Sequence, residues 1–73
     1  MYDTPLRAYS KSELAMLYFP KASTPHSAVN MLMLWINRCQ PLMESLSRYG
    51  YRKNDKMLSR RHVQLIFEFI GEP

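Results

Sequence analysis

The stretch Ser10-Lys11-Ser12-Glu13-Leu14-Ala15-Met16-Leu17-Tyr18-Phe19-Pro20-Lys21-Ala22-Ser23-Thr24-Pro25 decides the fold. Ser10 and Glu13 stand at capping-box spacing, in which the serine hydroxyl accepts an early helical N–H and the glutamate reaches back to the serine amide. A helix therefore begins here. Leu14, Leu17 and Tyr18 give it an apolar stripe, Ala15 lets a second helix approach closely, and Pro20 ends it near Phe19. Lys21 to Ser23 form a turn. Thr24-Pro25 then supplies an N-cap followed by proline at the first helical position, where its missing donor costs nothing. Two helices joined by a tight turn make the helix-turn-helix plan, in which the second helix is the reader.

Working outward, the second helix runs from Pro25 to about Cys39. Ala28, Leu32, Trp35 and Cys39 follow the spacing of a buried stripe, which Val29 and Ile36 widen. Met31, Met33 and Leu34 fall partly outside it and call for either a third packed helix or a partner. Pro41 opens a third helix through Leu42, Leu46 and Tyr49, with Gly50 in the left-handed cap position. From Tyr51 to Leu58, Asn54-Asp55 favours a turn between two short extended arms, a miniature wing. Ser59 caps a last helix that buries Val63, Ile66, Phe67 and Ile70 and stops at Gly71. The expected fold is all-α. It is a single domain over residues 1–73, a four-helix helix-turn-helix domain with a short basic wing-like turn before the last helix.

A domain of about 60 residues buries only ~60% of the surface of its unfolded chain, so the core of these 73 residues is thin. The core supplies roughly 3 to 5 kcal/mol unaided, and dimerisation or a ligand would add to that. The lone Cys39 cannot form an internal disulfide, which fits a reducing compartment. Met1 to Leu6 lack a signal pattern, and the longest apolar run, Met31 to Ile36, is far short of the ~20 residues that span a bilayer. A cytoplasmic protein with no membrane partner is expected.

The net charge of +4 is uneven. Between positions 48 and 61, Arg48, Arg52, Lys53, Lys56, Arg60 and Arg61 face one acid, Asp55, while the rest of the chain is slightly acidic. Such a segment attracts polyanions. His26 and His62 have no carboxylate or thiol at metal-ligand spacing and read as solvated residues. Cys39 has no partner base, acids are scattered, and no glycine-rich loop is present. No enzyme, metal or cofactor is expected. On the helix-turn-helix plan Thr24, His26, Ser27 and Asn30 point outward to phosphates or base edges, and Arg52, Lys53, Lys56, Arg60 and Arg61 neutralise flanking phosphates. Arg60 and Arg61 oppose the dipole of their own helix, at ~0.3 to 1 kcal/mol each where exposed, which invites a functional explanation. Tyr49 and Tyr51 flank Gly50, and at least one of them belongs in the core. The expected partner is double-stranded DNA. The alternative is a protein-interaction or oligomerisation module, including a homodimer, that uses a Met31, Met33 and Leu34 face.

Two resemblances accompany these residues. Ser12-Glu13-Leu14-Ala15 with the second helix, then Gly50-Tyr51-Arg52 and a helix ending Phe69-Ile70-Gly71, resembles the DNA-binding half of MerR-type regulators. That likeness implies a helix-turn-helix, a wing and a regulatory role. The chain departs from it in the extra helix from Pro41 to Tyr49 and a longer turn after Phe19. Over almost its whole length, at Ala8-Tyr9-Ser10-Lys11-Ser12-Glu13-Leu14-Ala15, Tyr18-Phe19-Pro20, Ala28, Leu32, Trp35-Ile36, Gly50-Tyr51 and Val63 to Pro73, it is similar to an uncharacterised family of short proteins from Bacteroides-type bacteria, a domain of unknown function. That second resemblance implies kinship without an activity.

Overall fold

A computed structural model describes residues 3–52 and 54–73. The order of elements is β1 (Tyr9–Ser10), α1 (Lys11–Tyr18), α2 (Pro25–Arg38), α3 (Gln40–Arg48), β2 (Met57–Leu58) and α4 (Arg60–Ile70). Each start is chemically marked. Ser10 accepts from the Glu13 amide at 3.1 Å while Glu13 accepts from the Ser10 amide at 3.2 Å, so the capping box is complete. Thr24 accepts from the amide of Ser27 and Ser59 from that of His62. The third helix has no side-chain cap, and Pro41 in its first turn removes one of the donors that would need one. Gly50, at φ +85°, turns the chain back where a side chain would be strained.

The core is one cluster drawn from every element. Leu14, Leu32, Ile36, Leu42, Leu46, Leu58, Val63 and Ile66 are almost wholly removed from water, and Ala15 and Ala28, both fully buried, let α1 and α2 close on each other. No helix among the described residues is long and apolar enough to cross a membrane.

Four expectations are corrected. The described chain is mostly helical but not all-α, because β1 and β2 pair antiparallel with Tyr9 opposite Leu58 and Ser10 opposite Met57. Register explains why. Tyr9 and Leu58 turn inward, 3% and 1% exposed, while Met57 on the other face is 57% exposed. The wing is therefore not a two-armed hairpin; its second arm pairs with the segment before α1 instead. Its turn is nevertheless closed, since the Asp55 amide donates to the Arg52 carbonyl at 3.0 Å and the Arg52 amide donates to Asp55 Oδ2 at 3.1 Å.

Trp35, placed by spacing on the buried stripe of α2, is 43% exposed. The interior row is Ala28, Leu32 and Ile36, one residue every four, which leaves Trp35 on the shoulder of the helix against Phe19.

His62, read as solvated, is buried. Its Nε2 lies 3.0 Å from the carbonyl oxygen of Tyr49, an acceptor only, so Nε2 carries the proton. Its ring packs edge-on against Tyr51 at 5.7 Å. Position 62 stands one turn before Ile66 on the buried face of α4, a signal the sequence does contain.

Candidate nucleic-acid interface

The β1–β2 pair determines which residues meet. Its ladder continues one step as the Lys11 amide donates to the Lys56 carbonyl at 2.9 Å, tying the basic segment to the first residue of α1. Beside this bond α2 begins. Lys11, Ser12, Pro25, His26, Lys56 and Met57 line an open groove of about 450 Å³ between the N-terminal turns of α1 and α2 and the edge of β2. The N-terminal ends of both helices, and with them the positive poles of their dipoles, lie at this region.

Of the residues assigned to nucleic acid, His26 and Lys56 are brought together in this groove. Asn30 is exposed one turn after His26 on the same flank of α2. Thr24 and Ser27 are engaged in the cap: Thr24 Oγ1 donates to Ser27 Oγ at 3.1 Å while accepting from the Ser27 amide at the same distance. Ser27 keeps its own hydroxyl proton as a donor. Arg52, Arg60 and Arg61 are exposed, and the Arg61 guanidinium lies 5.0 Å from the centre of the Tyr49 ring. Lys53 lies outside the described residues.

Lys11 is a groove residue that the sequence alone does not single out. Its Nζ lies 5.0 Å from the centre of the Tyr51 ring, and it lines the groove together with His26. A lysine at the first helical position is ordinary in sequence, and only the strand pairing reveals what it faces. Tyr51 is the buried member of the Tyr49 and Tyr51 pair, with its hydroxyl donating to Met33 Sδ at 3.6 Å.

The residues of the alternative reading separate. Met33 is half-buried against the core, whereas Met31 and Leu34 are exposed. Near them, Tyr18 donates to the Gly71 carbonyl, and burial, then the charge of Glu72, push its phenol well above the usual tyrosine range. Glu13 moves the other way. The hydrogen bond from the Ser10 amide, helped by Arg7 3.6 Å away, holds its carboxyl below the usual range.

Among the described residues no group of three or more His, Cys, Asp or Glu side chains is placed to hold a metal ion. Residues 5–73 match the family model described as a domain of unknown function (DUF4248). No curated protein and no solved structure matches the chain.

Proposed function

The chain belongs to the DUF4248 family of domains of unknown function, and we propose that it binds double-stranded DNA as a transcriptional regulator or mobile-element accessory factor. One observation carries this reading. The strand pair lays Lys56 against the first turns of α1 and α2, so that Lys11, His26 and Lys56 line a single open groove.

That groove suits a phosphodiester backbone. Two ammonium groups and two helix N-termini offer charge and donors at short range, and phosphate contacts of this kind set register and orientation on the duplex. His26 and Asn30, exposed on the flank of α2 beside the groove, are the residues that would reach base edges. Arg52, Arg60 and Arg61 extend the basic surface from the same segment. The resemblance of the Ser12-Glu13-Leu14-Ala15 and Gly50-Tyr51-Arg52 stretches to MerR-type regulators points the same way. The role is binding, with no catalytic step.

Fluorescence anisotropy of a labelled random-sequence duplex tests it. The affinity of the intact protein falls steeply between low and physiological salt. The Arg60→Ala, Arg61→Ala double variant shows a shallower slope, by about one unit for each phosphate it no longer neutralises. Absence of binding at low salt by a folded protein contradicts the proposal.

A further inference from the structure

We infer that the flank of α2 carrying Met31, Leu34 and Trp35 is, with the turn after Phe19, a docking groove for an acidic amphipathic segment of a partner protein. Met31 is 44%, Leu34 49% and Trp35 43% exposed. Scattered exposed apolar side chains need no explanation, but these three share one helical flank. Trp35 is also braced by its neighbours. The Trp35 ring packs edge-on against Phe19 at 4.7 Å and Tyr18 at 6.4 Å, and Tyr18 is anchored through its hydroxyl to the Gly71 carbonyl.

Between this aromatic cluster and the α1–α2 turn lies an open groove of about 560 Å³ lined by Tyr18, Phe19, Pro20, Lys21, Ala22 and Met31. Rigid aromatic rings beside a pliable thioether are the side chains that carry binding energy in protein interfaces. An amphipathic helix laid in such a groove presents anchors at i, i+3, i+4 and i+7.

Charge selects the occupant. Lys21 lines the groove, and Arg38 follows Leu34 and Trp35 by one turn on the same flank. Among the described residues neither forms an ion pair with a carboxylate. Glu72, the acid beside Tyr18, already accepts from the Asp3 amide at 3.0 Å. A second copy seated by two-fold symmetry would bring the same two cations to the contact from both sides, and like charges across a contact are repulsive. A segment with apolar anchors and acidic flanks meets both cations. Met31 and Trp35 lie on the flank of α2 away from His26, and the groove shares no lining residue with the one beside His26.

Trp35 is the chain's one tryptophan and packs against Tyr18 and Phe19 of the groove lining, so its emission reports on the groove through them. The probe is a panel of 16-residue amphipathic peptides with Leu, Phe or Trp-free aromatic anchors at those spacings, each made with glutamate flanks and with lysine flanks. Titrated into the full chain, glutamate-flanked members give a saturable blue shift of Trp35 emission and bind at least tenfold more tightly than their lysine-flanked twins. Met31→Glu removes the response with circular dichroism unchanged, and the Lys21→Glu, Arg38→Glu variant inverts the preference. No saturable shift with any member, or equal response to both sets, overturns the inference. So does self-association abolished by Met31→Glu, which would make a second copy the occupant, or quenching of Trp35 by a single-stranded oligonucleotide without any peptide response.

Discussion

Tyr9 pairs with Leu58, forty-nine positions further along the chain, and with the neighbouring Ser10–Met57 pair and the Lys11–Lys56 bond it holds the basic segment against the start of α1. The Tyr9 and Leu58 side chains are both buried, so the pairing is fastened by core packing as well as by backbone hydrogen bonds. Leu58→Ala should therefore cost about 2 to 5 kcal/mol of stability. Urea unfolding followed by circular dichroism measures it, and a cost under about 1 kcal/mol would mean that the strand pair is not anchored in the core.

The His62 imidazole links α4 to the Tyr49–Gly50–Tyr51 bend through one hydrogen bond and one edge-on ring contact. Replacing it with alanine leaves a gap beside Tyr51 and deprives the Tyr49 carbonyl of its donor. The expected loss is about 1 to 3 kcal/mol, read by thermal unfolding at neutral pH. Within the folded population, the same variant should raise amide hydrogen exchange at Tyr51 above that of Leu46.

Glu13 contributes to α1 as a charged cap. Its carboxyl is held below the usual range in the folded chain, first by the Ser10 amide, so its contribution is present above the unfolded-state value and is lost as the pH falls through the folded one. Glu13→Gln keeps a capping-box side chain without the charge. A stability difference between the two proteins should exist at neutral pH and close on acidification. A difference that persists unchanged into strong acid would show that the charge plays no part.

Tyr18 behaves in the opposite sense. Its phenol is raised by burial and then by Glu72, so its contribution is complete below the ordinary tyrosine value of 10 and declines as the pH rises above it. Tyr18→Phe should show a shallower alkaline loss of stability, and at neutral pH should be weaker by about 0.5 to 1.5 kcal/mol for the missing bond to Gly71. Identical alkaline profiles would contradict this assignment.

Local chemistry makes the helices readable. The Ser10–Glu13 box, Thr24-Pro25, Ser59 and the two glycines announce starts and stops through side chains that act within four residues. Non-local partnership is not readable in the same way. Nothing in Met57-Leu58 says that it pairs with Tyr9-Ser10 rather than with the arm before it, so the small sheet, and with it the place of Lys11 in the groove, emerges only in three dimensions. Trp35 misleads because two apolar rows on α2 differ by one position, and packing in the core chooses Ile36. His62 misleads by residue type, although its spacing from Ile66 marks the buried face.

The proposal of DNA binding rests on Lys11, His26 and Lys56 acting as one surface, and amide chemical-shift mapping during titration with a short duplex tests that most directly. Saturable shifts are expected at Lys11, Ser12, His26, Asn30 and Lys56, accompanied by Arg60 and Arg61, with Met31 and Trp35 on the other flank of α2 unmoved. Shifts confined to Arg60 and Arg61, or centred on Trp35, would contradict it.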